Sequence, residues 1–449
     1  MAEAGGGDLA APGFAVDLAL IAVAALAIRV AFVLVVAPGV PRLGDASAYH
    51  LLAEQIARGH GYIRPFDELL LHVRRPTAEY PPLFPLLLAI TARLGAHSVD
   101  QQRIFVAFVG ATTVTLVGIL GRRVASAPVG LVAAALAAVY PMLFLSEATL
   151  MAEALYAALV TALLLCAYRA HDDPTLVRFA VLGAAIGFAT LTRAEGALLG
   201  VVVAVPLALF VRGLAPGARF ARIGAALGVA MLIVAPWTVR NAIRFHRFVP
   251  VSNNVATLVD GANCDATYHG KLVGLWRETF SQLGPNGAAA PPRPQSDACF
   301  EGFDVANPRF DEAEAARDHL SDGAGYARRH TTRLAEVAGV RVLRTWGAYA
   351  PHQQVDFESL EGRPRAWQWR GTVMYWVLMP FAIAGIVVLR RHRRLLWPLL
   401  ATAITVTAVA AATYGQQRFR IAAEPALLVL AAVTVVGLGR VGRRRVRAP

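Results

Sequence analysis

Ten stretches of this sequence approach what a membrane-crossing helix requires, about 20 consecutive, mostly apolar residues. They are 15–37, 102–121, 127–145, 148–168, 176–192, 196–211, 223–239, 371–389, 395–413 and 424–439, of which the fifth and sixth are short. With 56% hydrophobic and 16% charged residues in a chain of 449, there is more apolar surface than one water-soluble core can bury. The expected fold class is an all-α polytopic membrane protein with about ten transmembrane helices. The first apolar run lacks a basic leading segment and a small-residue cleavage site, so it reads as a retained span.

Arginines set the orientation. They cluster at Arg122–Arg123, Arg169, Arg212 to Arg222, Arg390 to Arg394 and Arg440 to Arg447, which all fall on one side if ten helices cross. That side is cytoplasmic by the positive-inside rule. Both termini are then cytoplasmic, and two long segments, 38–101 and 241–370, lie outside. Three regions follow: an N-terminal transmembrane module, 1–240, containing the first outer loop; a long extracytoplasmic loop, 241–370; and C-terminal helices with a basic tail, 371–449. "GPNGAAAPPRPQSD" in the second loop reads as a flexible excursion. The net charge of +13 is almost wholly arginine, Lys271 being the only lysine, so it argues weakly for nucleic acid and none is expected as a partner. Cys166 sits in a span. Cys264 and Cys299 share the second outer loop and are a disulfide candidate in an oxidising compartment.

Polar residues crowd the predicted outer ends of the spans. "PRLGDASAYHLLAEQIARGHGY" opens with Asp45 and continues as an amphipathic helix, with Tyr49, Leu52, Ala53 and Ile56 on one face and His50, Glu54, Gln55 and Arg58 elsewhere. It should lie along the bilayer. Asp45 either caps that helix or is a carboxylate held at the boundary for chemistry. Arg29 stands inside the first span, where a charge is costly unless it pairs or faces a cavity; an ion pair with Glu153 and a contact with lipid phosphate are both open. Glu147 reads as a solvated acid at a helix start, and the deeper Glu153 as the more functional of the two. "TLTRAEGALL" brings Arg193 and Glu195 to the same side, and "YGQQRFRIAAEP" brings Arg418 and Arg420. Such a convergence of arginines and carboxylates suits an anionic substrate and acid-base work.

The order of "GDASAY", "RRPTAEYPPLFPLLLA", "LMAEALYA", "LTRAEG", "PWTVRNAIRFHRFVPVSNN" and "QQRFRIAAEP" resembles the GT-C superfamily of integral-membrane glycosyltransferases. The branch it is most similar to is that of protein O-mannosyltransferases and lipid A aminoarabinose transferases. The resemblance runs from the first span to the last. It implies transfer of a sugar from a polyprenyl-phosphate donor, usually with inversion, to a glycan, lipid or protein acceptor on the outer face of a cell membrane. Arginine bias and compact loops suggest a bacterial plasma membrane. In such enzymes an acidic residue stands in the first outer loop beside amphipathic helices, and Asp45 matches it. The mannosyltransferases often show an Asp-Glu pair there; this chain has Gly44-Asp45-Ala46.

The implied roles suit the residue types. A hydroxyl acceptor is a weak nucleophile, and a positioned carboxylate, Asp45 with Glu153 as second acid, can take its proton. The leaving lipid phosphate needs positive charge, which Arg29, Arg193, Arg240, Arg418 and Arg420 can supply with forks that match phosphate oxygens. Tyr80, Glu147, Glu195 and Asn241 are further site candidates. A divalent metal between Asp45 and Glu153 stays open, though no compact ligand pattern supports one. Two other classes compete. A secondary transporter would place Arg29 and Glu153 in a substrate path, but no internal repeat is visible. A non-catalytic envelope-assembly protein would use Asp45 only as a cap.

Overall fold

The computed structural model describes residues 12–37, 39, 44–211, 213–277, 299–300 and 310–446. The chain runs through α1 (Pro12–Val35), the short α2 (Asp45–Ala57), α3 (Pro65–Leu71) and α4 (Leu83–Arg93), then α5 (Val99–Val124), α6 (Ala127–Val139), α7 (Pro141–Ala148), α8 (Glu153–Asp172) and α9 (Leu176–Thr192). After α10 (Gly196–Leu199) a π turn leads into α11 (Val205–Phe210) and the long α12 (Pro216–Phe245). The second long segment forms α13 (Asn254–Ala262), α14 (Asp265–Tyr268), α15 (Glu312–Arg329), α16 (Thr331–Thr345) and α17 (Pro351–Leu360). Helices α18 (Arg365–Arg391), α19 (Trp397–Ala412) and α20 (Glu424–Val446) complete the bundle, with a 3-10 turn at Gln417–Ala422 between the last two. Among the described residues a single bridge, Ile63 to Pro76, is the only β pairing. The "GPNGAAAPPRPQSD" excursion and Arg212 lie outside the described residues.

All ten apolar stretches fall on helices, and the protein is an all-α polytopic membrane protein. Among the described residues five helices, α1, α5, α8, α12 and α18, are long and apolar enough to cross a bilayer alone. The expected continuous span at 127–145 is instead broken: α6 and α7 meet at a 47° bend. Pro141 explains it, since proline removes a backbone donor and its ring clashes with the preceding turn. The other apolar helices, α4, α9, the α10–α11 pair, α19 and the Glu424–Gly439 part of α20, are shorter.

That bend also explains Arg29. The last carbonyls of α6 lose their helical partners, and Arg29 donates to Ala137 at 3.3 Å and Ala138 at 3.0 Å. Its Nε pairs with Glu147 at 2.7 Å. One side chain thus ties α1, α6 and α7 together. Two expectations are corrected: the partner of Arg29 is Glu147, not Glu153, and Glu147 is a buried acid in α7, not a solvated one at a helix start. Gly110 of α5 makes the room, because a Cβ there would lie 2.1 Å from the Glu147 carboxyl carbon.

Elsewhere the bundle packs backbone against backbone. A Cβ on Gly183 of α9 would meet the Ala226 carbonyl oxygen of α12 at 2.1 Å, which requires a residue without one. On its outer side α12 exposes Met231, Leu232 and Val239, as suits a helix facing lipid. Glu153 opens α8 and Arg169 lies in its last turn, about 24 Å away at 1.5 Å per residue. Arg122–Arg123 likewise close α5, and Arg390–Arg391 close α18. The bundle therefore has an arginine-rich end and, opposite it, an end where α2, α8, α9 and the 3-10 turn meet.

The amphipathic reading of α2 holds for Tyr49, Leu52 and Ala53, which are buried, with Ile56 half-buried. It misplaces Glu54 and Gln55, which are buried too. Their heads are satisfied there: Arg58 donates to Glu54 at 3.2 Å, His97 lies 3.1 Å from it, and His60 is 2.6 Å from Gln55.

Candidate active site

Asp45 is the first residue of α2. The N-cap is Gly44, in extended backbone, and the Asp45 carboxylate makes no capping bond. Its oxygens go elsewhere. Oδ1 accepts from the Tyr80 hydroxyl at 3.1 Å and Oδ2 accepts from Arg418 at 3.1 Å. The side chain remains 29% exposed, so a carboxylate oriented by two donors still faces solvent.

Arg418 is the hub. One guanidinium nitrogen reaches both Asp45 and Glu361, the latter at 3.6 Å, while Nε donates to Gln416 at 2.9 Å and lies 3.7 Å from Glu153. Glu153 is buried and pairs more closely with Arg193, at 2.7 Å, which also donates to Glu195. Burial works against the Arg418 charge, but Glu361, Tyr414, Asp45 and Glu153 outweigh it and hold its pKa well above the ordinary value. Burial of Arg193 is likewise outweighed by Glu195 and Glu153. Both cations stay charged. Four carboxylates, Asp45, Glu153, Glu195 and Glu361, surround these two arginines.

The turn carrying Arg418 is bolted to its neighbours by amides. Gln354 of α17 accepts from the Gln417 backbone and donates to the Gly415 carbonyl at 3.0 Å. Gln368 and Thr372 of α18 both donate to the Gln417 side chain, at 3.2 and 3.0 Å. Glu358 accepts from the Arg418 backbone at 2.9 Å and pairs with Arg363 at 3.3 Å.

Tyr80 is fixed as firmly. Its ring packs on Tyr49 with centroids 4.7 Å apart, and its carbonyl accepts from Tyr62 at 2.9 Å. Two residues before it, the Ala78 amide donates to Glu312 at 2.7 Å, and Glu312 also accepts from Arg64 and Asn253, each at 3.1 Å. Arg64 in turn donates to Asp67. The second long segment thus clamps the first. Burial, then the charge of Asp45, pushes the Tyr80 phenol well above its usual range, so it remains a donor. Glu79 beside it is pushed up to about 7 by burial, against the pull of Arg64.

The remaining sequence candidates lie apart from this cluster. Arg29 and Glu147 form the buried pair described above. Arg420, fully buried, donates to Glu424 at 3.0 Å and to the Thr345 carbonyl, and packs over the Tyr375 ring. Arg240 spends its guanidinium on the carbonyls of Thr77 and Tyr62, at 2.6 and 2.8 Å, and Asn241 donates to the Val249 carbonyl. Of five candidate arginines, the structure brings only Arg193 and Arg418 to Asp45 and Glu153. Sequence reasoning missed Glu361, Glu358, Gln417, Glu79 and Glu312. Gln417 alone had a local signal, a polar pair, Gln416-Gln417, between two apolar helices.

Cys264 and Cys299 are joined in a disulfide with Cα atoms 5.2 Å apart. Among the described residues no group of three or more His, Cys, Asp or Glu side chains is placed to hold a metal ion. Asp45 and Glu153, the pair that a metal would have to bridge, each face a guanidinium instead.

A family model described as dolichyl-phosphate-mannose-protein mannosyltransferase matches residues 79–239, which include Tyr80, Glu153 and Arg193. A comparison with curated proteins finds no match. Among solved structures, the chain is similar to the oligosaccharyltransferase AglB of the archaeon Archaeoglobus fulgidus in complex with an inhibitory peptide and a dolichol-phosphate: 15% identity over 96% of this chain and 52% of that one, TM-score 0.51. The apo form of the Archaeoglobus fulgidus enzyme gives 16% identity over the same shares and the same TM-score. ArnT from Cupriavidus metallidurans bound to undecaprenyl phosphate gives 15% identity over 95% of this chain and 78% of that one, TM-score 0.45. The chain spans about half the length of the archaeal structures. Residues 79–239 are thus similar to the mannosyltransferase family, and the helical fold is like that of the archaeal oligosaccharyltransferase over nearly the whole chain.

Proposed function

We propose that this protein transfers a sugar from a polyprenyl-phosphate donor to an acceptor at the end of the bundle that carries Asp45, and that this end is extracytoplasmic. Asp45 is the general base, Arg418 and Arg193 hold the donor phosphate, and Glu153 fixes the spacing of the two arginines. Tyr80 orients the base. Segments 38–101 and 241–370 are the outer loops and 371–449 the closing helices. The observation that carries the reading is the pairing of a partly exposed carboxylate, Asp45, with a permanently charged guanidinium, Arg418, at 3.1 Å. A glycosyl transfer from a phosphodiester needs both groups in one site, reaching opposite faces of the sugar: one removes the acceptor proton, the other stabilises the departing phosphate.

The chemistry needs no general acid, because a lipid phosphate leaves as a stable anion. Attack from the face opposite the phosphate inverts the anomeric carbon, with the two reactants held in line by the site. The apolar bundle accounts for the donor's isoprenoid tail, which stays in lipid while its head meets the polar cluster. The family model's name includes a dolichyl-phosphate sugar and the archaeal structure was obtained with a dolichol-phosphate, which supports a polyprenyl carrier. The test incubates the purified chain with a panel of polyprenyl-phosphate sugars and candidate glycan, lipid and protein acceptors. Consumption of one donor is the expected result; consumption of none contradicts the assignment.

A further inference from the structure

We propose that Glu361 is a proton-dependent competitor for the phosphate-binding guanidinium of Arg418: neutral, it releases Arg418 to the donor; ionised, it holds Arg418 and weakens donor binding. The inference rests on the reading of Arg418 as a donor-phosphate ligand.

The geometry begins with one nitrogen. The Arg418 nitrogen that meets Asp45 at 3.1 Å also meets Glu361 at 3.6 Å. An incoming phosphate oxygen must take a place on the same fork, so it competes with whichever carboxylate is charged. Asp45 cannot be the one to yield without losing its orienting partner. Glu361 can, because it follows α17 at a helix end and its side chain is still 22% exposed.

Charge balance points the same way. Asp45, Glu153, Glu195 and Glu361 bring four negative charges to two arginines, an excess that opposes an anionic donor. Neutralising Glu361 lowers that excess. The groups facing it are Arg418, Asp45, Glu358 and Glu153, with Tyr414 on the far side of Arg418. Glu358 is committed to Arg363 and to the Arg418 backbone, so it does not relieve the crowding. Burial pushes the Glu361 carboxyl up to about 7, against the pull of Arg418 and helped by the neighbouring carboxylates. The sign follows: below that pH the carboxyl is neutral and Arg418 is available; above it the carboxylate competes.

The experiment measures binding of methyl farnesyl phosphate to the full chain in nanodiscs from pH 5.5 to 8.5. This phosphodiester keeps one negative charge throughout, so any pH dependence belongs to the protein. Wild-type affinity is expected to weaken about tenfold for each unit by which bound phosphate raises the Glu361 pKa. Glu361→Gln should keep the acid-side affinity across the range. Glu361→Ala is a second neutral variant, and Glu79→Gln should retain the wild-type loss. A flat wild-type profile, or a Glu361→Gln profile that falls like wild type, overturns the proposal. Absence of probe binding by wild type at every pH overturns the donor-phosphate reading itself, a different outcome from binding without pH dependence.

Discussion

Arg418 and Asp45 are 373 residues apart in sequence and 3.1 Å apart in the fold. The contact joins the start of α2 to the turn before α20, so the first and last parts of the chain meet at one carboxylate. A planar fork with a fixed charge can hold an anion and orient a base at once, which a lysine cannot do as well. We expect Arg418→Ala to weaken donor binding by about tenfold or more and Arg418→Lys to restore it only in part. Arginines at the opposite end, Arg122 and Arg123, are expected to tolerate alanine without loss of donor affinity; equal losses at both ends would contradict the division.

The Arg29–Glu147 pair belongs to stability. Both groups are buried, and removing one strands the other, which costs about 3–5 kcal/mol. Arg29→Ala should therefore lower the thermal midpoint strongly, whereas replacing both residues by apolar ones of similar size should recover much of it. Gly110→Ala, which would drive a methyl group into the Glu147 carboxyl, is expected to destabilise by about 1–3 kcal/mol. Thermal unfolding in nanodiscs checks all three.

Glu79 gives a pH signature in stability. Its folded-state pKa, about 7, lies above the value of about 4.5 for a free carboxyl, so protons bind the folded state more tightly. The stability it contributes is full below pH 4.5 and is lost as pH rises through about 7. Glu79→Gln should thus match wild type at acid pH and become the more stable of the two at pH 8. A stability difference that does not grow between pH 4.5 and 8 would contradict the burial argument.

The Cys264–Cys299 disulfide closes a separation of 35 residues, for which loop-closure entropy gives about 4 kcal/mol. A Cys264→Ser, Cys299→Ser double variant should lose stability of that order. Cleavage within 278–298 should release a fragment only under reducing conditions.

The sequence shows a great deal of this protein because a membrane makes polar residues conspicuous. Asp45, Glu153, Arg193 and Arg418 each interrupt or end an apolar run, and that contrast marks them out. Pairing is not marked. Arg29 stands between two acids, and nothing local says that the bend at Pro141 turns Glu147 toward it and leaves Glu153 to Arg193. Arg240 and Arg420 look as available as Arg418 until tertiary contacts give them to backbone carbonyls and to Glu424. Glu358, Glu361 and Glu312 escape notice for the opposite reason: they sit in an already charged segment, and only the fold carries them to the site. Helix ends read well except where a capping residue decides them. Asp45 looks like a cap, yet Gly44 takes that place and leaves the carboxylate free.

Central to the account is that the Asp45 carboxylate, and not its shape, is required for transfer. Asp45→Asn keeps the size of the side chain and its bond with Tyr80 while removing the base. The decisive measurement is the turnover of this variant with the donor and acceptor that wild type uses, alongside its affinity for the donor. Turnover is expected to fall about 10²-fold or more, with folding intact and donor binding retained or tightened because Arg418 loses a competitor. Turnover equal to wild type would contradict it and move the search for the base to Glu361 and Glu79.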